Sequence, residues 1–489
     1  MMTRRQWMGG VAGLIAAGAS PASADPGTVD PGALAADLPL LQRAYGTLHP
    51  GLYRYQTPAE FQARLNEAKS ALGPSPDFGR AYLALSRLTA AVRCGHTYAN
   101  FFNQSKPVAE RLFAGRDKLP FHFIWLGARM VVSANPLGID GLRRGSEIIA
   151  IDDVPVAQIQ ARLLPYLRAD GHNDAKRRKL LDTTGGDRFE TFDVFYPLLF
   201  PPKGQRFRLR VRERPDAPVQ TLVVEAIDLD QRRGMAPAAA DDSGPGYWPL
   251  DYPAAGIGRI VMPGWALFNS KWDWRGRINA MFEDLARRSA HGLVIDLRDN
   301  EGGLDCGYEI IAHLIDFELP LFAEYERRVR FRSAPADLVP YLDTWDSSFV
   351  HLGEGAADLG DGFYRLANDD DLRAIKPQGP RFTGRVAVLC GAQNSSATFN
   401  FIDLVQRHGL ARVYGEPTGG NQRGINGGCF FFLRLPQSGL EADLPLVGTF
   451  PLKPKPDAGL APDVYVAPSI EDIVAGNDPV LAAAVADLR

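Results

Sequence analysis

This sequence has few of the features that mark a disulfide scaffold or a metalloprotein. Its 489 residues include four cysteines, Cys94, Cys306, Cys390 and Cys429, and we expect these to be free or buried thiols. It contains neither a His-Glu-x-x-His motif nor a Cys-x-x-Cys pair, so we predict no metal site. Residues 419–428 are dense in glycine but lack the Gly-Lys-Ser/Thr of a phosphate loop, and we predict no cofactor.

An excess of basic charge is also missing. The 54 lysines and arginines are balanced by 57 acidic residues, and no basic stripe or run of like charge occurs, so we predict no nucleic-acid partner. Internal repeats and long low-complexity segments are absent from the sequence. A hydrophobic content of 45% is ordinary for a globular chain, and the length allows more than one domain.

The N-terminus contains a short apolar stretch in a distinctive setting. Arg4 and Arg5 precede the apolar residues 9–17, and Ala22-Ser23-Ala24 follows them. This arrangement resembles a twin-arginine export signal spanning residues 1–24. Cleavage after Ala24 predicts a periplasmic or secreted protein with no stable membrane insertion, whereas an uncleaved N-terminal anchor is the alternative.

The next segments differ in their apolar spacing. Apolar side chains recur at helical spacing from Pro31 to about Ala91, which predicts a small helical domain over residues 25–115. Residues 116–230 contain short β-type runs, and the sequence RGSEIIAID at 144–152 resembles the Gly-Asp-x-Ile element of PDZ domains, which bind peptide ends. An inserted β-rich domain without peptide binding is the alternative. Residues 231–250, rich in Ala, Gly, Asp and Pro, are predicted to be a linker, and residues 251–489 alternate strands and helices as in an α/β domain.

Residues 394–399, NSSATF, follow the apolar run 386–389 and lead into a segment with helical spacing. Serines there stand at a strand-to-helix junction, where amide groups and the helix dipole favour a developing oxyanion. Asn or Ser before a helix is also an ordinary N-cap, so this segment alone leaves capping and catalysis open.

Two further segments carry residue types that a serine nucleophile needs. Residues 292–303 form an apolar strand that ends in polar residues and the pair Gly302-Gly303, which suits an oxyanion hole or, equally, a plain turn. In residues 92–98, VRCGHTY, His96 follows a glycine, and histidine is the usual base for a serine.

Together these segments resemble the serine peptidases that include the C-terminal processing (tail-specific) proteases and the tricorn core protease. The pattern Asp-Leu-Arg-x-Asn-x-Gly-Gly occurs at residues 296–303, and the Gly-Glu-Pro-Thr turn at 415–418 aligns the family nucleophile with Ser396. The resemblance implies an α/β fold with a ClpP/crotonase-like catalytic core, an N-terminal helical domain and an inserted PDZ-like β-rich domain.

The same alignment shows where this chain departs from the tail-specific branch. The position of its lysine base falls at Asn421, and the nearby Arg423 stays protonated, so a Ser-Lys dyad is not expected. The tricorn-like branch uses a histidine, which aligns with His96, but its preceding serine is replaced by Gly95. Asp457 is our candidate for orienting His96, with a solvated turn aspartate as the alternative.

The resemblance implies a mechanism in which His96 deprotonates Ser396. Amides of Gly302 or Gly303 and of Ala397 would stabilise the tetrahedral oxyanion. We therefore expect an exported serine endopeptidase acting on peptides or unfolded proteins, with no metal or cofactor and an oligomeric state that the sequence does not define. A catalytically inactive peptide- or ligand-binding protein on the same fold, or an esterase, is the alternative.

Overall fold

The computed structural model describes residues 30–74, 76–235, 244, 246–268, 270–321, 323–366 and 374–489. The predicted export signal at residues 1–24 lies outside this range, as do residues 236–243 and 245 of the predicted linker. None of the helices in the described ranges has the length and apolar character required to cross a membrane.

The chain forms two compact units, each built from three separate stretches of sequence. Unit 1 comprises residues 1–237, 327–367 and 426–450, and unit 2 comprises residues 238–326, 368–425 and 451–489, apart from the undescribed positions. The chain therefore passes from one unit to the other five times. Taken together, the helices and several sheets make a mixed α/β fold.

The helices of the described residues vary from one turn to four. In chain order the α-helices are α1 (Leu34–Leu48), α2 (Pro58–Ala71), α3 (Phe78–Ala90), α4 (Lys106–Phe113), α5 (Val156–Leu163), α6 (Asp174–Lys179), α7 (Thr191–Leu199), α8 (Leu229–Gly234), α9 (Trp274–Arg287), α10 (Cys306–Ala312), α11 (Ser396–Arg407), α12 (Ile470–Ala475) and α13 (Pro479–Leu488). Short 3₁₀ helices occur at Pro31–Ala33, Leu164–Tyr166, Val339–Tyr341 and Ser347–His351.

The strands of the described residues include several of only two residues. In chain order they are β1 (His122–Leu126), β2 (Arg129–Ala134), β3 (Glu147–Ile151), β4 (Val154–Pro155), β5 (Arg206–Arg212), β6 (Val219–Glu225), β7 (Leu250–Ala254), β8 (Ile257–Val261), β9 (Gly292–Asp296), β10 (Leu319–Pro320), β11 (Tyr325–Val329), β12 (Leu342–Asp343), β13 (Ala357–Asp358), β14 (Tyr364–Arg365), β15 (Ala374–Ile375), β16 (Arg385–Cys390), β17 (Arg412–Gly415), β18 (Asn426–Arg434), β19 (Glu441–Pro451) and β20 (Val464–Tyr465).

Unit 1 begins with the helices that the apolar spacing predicts. Helix α2 starts at a capping box in which the side chain of Thr57 accepts from the Glu60 amide, and the side chain of Asp77 caps α3 by accepting from the Arg80 amide. An antiparallel sheet of order β1-β2-β3-β5-β6 follows, with β4 paired to β3. The sequence at residues 144–152, which resembles a PDZ element, forms β3 and the turn before it. Helix α8 occupies the first residues of the predicted linker.

A second large sheet has the order β12-β18-β19-β11-β14-β13 and lies mostly in unit 1. Its longest pair, β18 and β19, is antiparallel, and the register shifts between Gly427 and Phe430. Alternate residues of β18, including Phe431 and Leu433, are buried in the same hydrophobic core as the N-terminal helices. The buried face of β18 therefore packs residues from late in the chain against the N-terminal helices of unit 1.

Unit 2 is organised around a sheet of order β20-β17-β16-β9-β8-β7. Strands β8, β9, β16, β17 and β20 run parallel, and only the edge strand β7 is antiparallel. Strand β9 is buried along its whole length and β16 along all but its first residue, as expected for a parallel sheet covered on both faces. The carboxyl ends of these strands lie on one edge, where loops from distant parts of the sequence meet.

Candidate active site

The first proposed site residue lies where β16 gives way to α11 in unit 2. Ser395 is the extended N-cap of the helix, and Ser396 is its first residue with φ at 52°, in the left-handed region. A non-glycine residue seldom adopts this conformation, and such strain concentrates at functional sites. Catalytic serines of other hydrolases also sit at a strained turn between a strand and a helix.

The capping explanation for these serines does not fit their side chains. Neither serine makes a side-chain cap to α11, and the Ser395 hydroxyl instead donates to the Glu301 carbonyl at 3.2 Å. Within the described residues of unit 2, the Ser396 hydroxyl makes no hydrogen bond and is half-buried. Helix α11 thus starts with unused amide groups and a free hydroxyl, which is the arrangement an activated nucleophile needs.

The glycine pair after β9 approaches this serine closely. Gly302 has φ at 115°, and a Cβ there would lie 2.9 Å from the Cβ of Ser396 and 3.1 Å from the amide nitrogen of Ala397. Gly303 has φ at 135°, and a Cβ there would overlap the Trp265 backbone. Both positions therefore require glycine, one of them because it packs on the serine itself.

The amides predicted to form the oxyanion hole differ in their availability. The Gly302 N–H donates to the side-chain oxygen of Asn300 at 2.8 Å, which occupies it. Within the described part of unit 2, the amides of Gly303 and Ala397 donate to no acceptor. The geometry thus favours Gly303 and Ala397 over Gly302 as donors to a developing oxyanion.

His96 lies in unit 1, in a tightly bonded loop. Its ring is 5.7 Å from that of Phe430, and the Gly95 amide before it donates to Asp170 Oδ1 at 2.8 Å. On its other side, Thr97 Oγ1 is 2.8 Å from His49 Nε2, and the Gly51 amide donates to His49 Nδ1. His49 must therefore carry its proton on Nε2, and burial lowers the pKa of His49 to about 3.

The segment that contains β8, β9, β16 and Ser396 is similar in sequence to a known protein family. Residues 256–427 match the sequence pattern of peptidase family S41. This segment belongs to peptidase family S41. Members of the family are serine-type peptidases, which are hydrolases. No match to a curated protein sequence is found.

Two solved structures of mature CPAF share the fold at low sequence identity. Mature CPAF in complex with lactacystin superposes with a TM-score of 0.63 at 14% identity, covering 90% of this chain and 95% of that chain. Mature CPAF alone gives a TM-score of 0.62 at 15% identity, with coverages of 90% and 94%. The photosystem II D1 C-terminal processing protease has a TM-score of 0.40 at 14% identity, covering 91% of this chain and 98% of that chain.

Two buried asparagines in the S41 segment support the serine, and sequence reasoning did not single them out. Asn300 accepts from Gly302 and from Thr398 Oγ1 at 2.7 Å, and its amide donates to the Met262 carbonyl. Asn394 donates to the Leu297 and Asn300 carbonyls. Asn300 lies in the family pattern, and Asn394 begins the NSSATF segment. Both side chains are fully buried, and a buried polar side chain normally has a hydrogen-bond partner inside the protein.

Asp457, the predicted orienter of His96, has its described partners in unit 2. Its Oδ1 accepts from the Asn421 side chain at 2.7 Å, and its Oδ2 is 3.9 Å from Arg423. Asn421 stands where the tail-specific branch has lysine, and in turn accepts from the Arg423 amide. These contacts make Asp457 part of the connection between the 419–424 loop and the chain that precedes β20. Its action on His96 remains a prediction.

The four cysteines are free thiols. Burial raises the pKa of Cys94 to about 11, which argues against a thiolate nucleophile beside His96. Burial also raises the pKa of Cys390 to about 12. Across the described ranges, no group of three or more His, Cys, Asp or Glu side chains is placed to hold a metal ion.

Proposed function

We propose that the chain is an exported serine endopeptidase of the tail-specific type, with Ser396 as nucleophile and His96 as base. The observation that carries this proposal is the strained backbone of Ser396 at the first turn of α11, with Gly302 packed against it. The family match of residues 256–427 supports serine chemistry in this segment. The pairing of His96 with Ser396 rests on the resemblance of their sequence contexts to the tricorn-like branch.

In the proposed reaction, His96 takes the proton of the Ser396 hydroxyl as Oγ attacks the peptide carbonyl carbon. The Gly303 and Ala397 amides stabilise the oxyanion that forms, aided by the N-terminus of α11. The imidazolium then protonates the leaving amine as the C–N bond breaks. Water, deprotonated by the same histidine, hydrolyses the acyl-enzyme and restores the Ser396 hydroxyl.

The remaining parts of the chain have proposed roles of their own. Residues 1–24 direct export to the periplasm or the exterior, residues 25–115 form the helical domain, and residues 116–230 form the PDZ-like domain, joined through 231–250 to a ClpP/crotonase-like catalytic domain at 251–489. The parallel strands of unit 2 support the last assignment. Substrates are peptides or unfolded proteins, as expected for a peptidase of this family.

A fluorophosphonate probe tests the nucleophile directly. We expect the purified protein to be labelled at Ser396, as located by mass spectrometry, and Ser396→Ala to lose both the label and peptide hydrolysis. Ser395→Ala is the matched control, because Ser395 precedes it but bonds to Glu301, and it should keep the label. Labelling that persists in Ser396→Ala would refute the assignment.

A binding protein without turnover is the second candidate, and two observations favour it. The Gly302 amide is bonded to Asn300, and Asn421 replaces the lysine of the tail-specific branch, so two catalytic groups of that branch are unavailable. This candidate predicts no fluorophosphonate labelling together with retained peptide binding in both wild type and Ser396→Ala. Hydrolysis of small esters with peptides left intact would instead indicate an esterase.

A further inference from the structure

The loop that contains His96 is fastened to a second loop of unit 1, residues 168–171. Arg168 Nη1 donates to the Gly95 carbonyl at 2.8 Å, the Gly171 amide donates to the Arg93 carbonyl at 2.9 Å, and the Gly95 amide donates to Asp170 Oδ1 at 2.8 Å. Three hydrogen bonds therefore fix residues 93–95 against residues 168–171. This arrangement holds the backbone of His96 in one position relative to the Asp170 carboxylate.

Gly95 makes this approach possible. A Cβ at residue 95 would lie 2.8 Å from Asp170 Oδ2 and 3.2 Å from its carboxyl carbon, closer than side-chain atoms pack. The tricorn-like branch has a serine at this place, so here the missing side chain is replaced in space by a carboxylate from elsewhere in the chain. Gly95, where this chain departs from the family pattern, therefore lies directly against the Asp170 carboxylate.

Asp170 is buried among charged groups. It is 2% exposed and interacts electrostatically with His96, Arg54 and Lys176, and its charge also contributes to the raised pKa of Cys94. Burial raises the pKa of Asp170, and the interaction with His96 is the largest influence opposing that rise. An ionised carboxylate in such a place stabilises a neighbouring imidazolium more than the neutral ring.

We propose that Asp170 is the positioning residue of His96, taking the role for which the sequence suggests Asp457. This inference rests on the proposed function, in which His96 takes the proton of Ser396. The Ser396 O–H bond breaks and an N–H bond forms on His96, while Asp170 stays ionised and stabilises the imidazolium without accepting its proton. Chemically, it supplies the acidic partner that a histidine base needs.

Histidine titration by NMR tests the coupling without requiring turnover. In the full chain, labelled at its eight histidines and carrying Ser396→Ala, the His96 signal is assigned by its loss in His96→Gln. We expect Asp170→Asn to move the His96 titration to lower pH, because a negative charge is removed beside the ring. Asp457→Asn should leave it in place, as should Asp37→Asn, which removes another buried carboxylate of unit 1 bonded to Ser438.

Kinetics supply the second readout. In the background with Ser396 intact, Asp170→Asn should lower kcat about 10²- to 10⁴-fold with KM nearly unchanged. Gly95→Ala, which keeps the charge but displaces the carboxylate, should lower kcat in the same direction, and serves if Asp170→Asn fails to fold. An unmoved His96 titration in folded Asp170→Asn, or its movement by Asp457→Asn alone, overturns the inference.

The two proposals fail in different ways. Wild-type protein that hydrolyses no peptide, combined with a His96 titration that depends on Asp170, removes the peptidase proposal and leaves the coupling supported. Hydrolysis that depends on Ser396 but is insensitive to Asp170→Asn and Gly95→Ala removes the positioning role and leaves the peptidase proposal intact.

Discussion

At Ser396 the backbone adopts a left-handed conformation that a serine disfavours, and the packing around it explains why it persists. Gly302 lies against the Cβ of Ser396 and the amide of Ala397, so the surroundings leave little room for the backbone to relax. Strain of this kind costs of the order of 1–3 kcal/mol and is kept only where neighbouring structure enforces it. The glycine is thus as much a part of the candidate site as the serine.

Replacing Gly302 with alanine should therefore damage both stability and activity. We expect Gly302→Ala to lower the free energy of unfolding by roughly 2–4 kcal/mol, through its positive φ and the collision with residues 395–397, and to abolish fluorophosphonate labelling. Gly409→Ala is the control, since Gly409 in unit 2 has φ at 62° and open space around it, and should cost roughly 1–2 kcal/mol with labelling retained. Equal losses in the two variants would show that φ alone matters.

Not every important residue can be recognised from its own sequence context. Ser396 and Gly302 were predictable because each follows an apolar strand, and the ends of parallel strands share an edge. Asp170 was not predictable, because it lies 74 residues beyond His96 in a loop without a motif. The one local sign was Gly95, which has no side chain where the tricorn-like branch has serine. Its proximity depends on tertiary packing that no local pattern encodes.

Among the secondary structure elements, β9 and α11 are joined by a buried polar contact as well as by apolar packing. Asn300, four residues beyond the end of β9, accepts from Thr398 in the first turn of α11 and also donates to Met262 after β8. The apolar side of α11 packs on the core of unit 2, with Phe401 edge-on to Trp265 at 5.9 Å. Apolar contacts hold the helix on the sheet, while the asparagine sets the position of its first turn.

Removing this asparagine should loosen that first turn. Asn300→Ala leaves the Gly302 amide, the Thr398 hydroxyl and the Met262 carbonyl without their buried partner, and we expect a loss of about 2–4 kcal/mol in urea unfolding. Thr398→Val removes one of these bonds and should cost about 1 kcal/mol. A cost for Asn300→Ala no larger than that for Thr398→Val would contradict the role assigned to the asparagine.

The sequence predicts how strands are arranged within one continuous segment of chain, but not how a late segment packs on the first helices. The alternation of apolar strands and helices in residues 251–489 predicts an α/β domain, and within it β8, β9 and β16 pair in parallel. The pairing of β18 with β19 across unit 1 was not predicted, because antiparallel partners from late in the chain join a core formed by its first helices. Packing between segments that are distant in the sequence leaves no periodic pattern in either segment.

On the scale of the whole molecule, stability should depend on pH through a buried carboxyl of unit 1, that of Glu190. Burial, followed by the neighbouring Asp187 and Asp193, raises the pKa of Glu190 to about 8 from an ordinary 4.5. The folded state then holds this proton more tightly than the unfolded chain does. The resulting stabilisation is fully present below pH 4.5 and is lost as the pH rises to about 8.

Glu190→Gln should remove this contribution. A glutamine oxygen can accept from the Thr184 and Gly185 amides as Glu190 does, but it does not titrate. We expect the stability of the variant relative to wild type to rise between pH 4.5 and pH 8 by an amount of the order of 3 kcal/mol, measured by urea unfolding at several pH values. A difference between the two proteins that stays flat across this pH range would refute the assignment.

The five passages of the chain between the two units bear on how the protein is made. Unit 1 takes strand residues as late as 450, and unit 2 takes residues 451–489, including α13, which packs on β9 and β16. During synthesis on the ribosome, unit 1 lacks its last strand until residue 450 has been added, and unit 2 lacks α13 until residues 479–488 have been added. The sheet whose strands lead to Gly302 and Ser396 therefore lacks one of its covering helices until α13 has emerged, and we expect the candidate active site to form only after that point in synthesis.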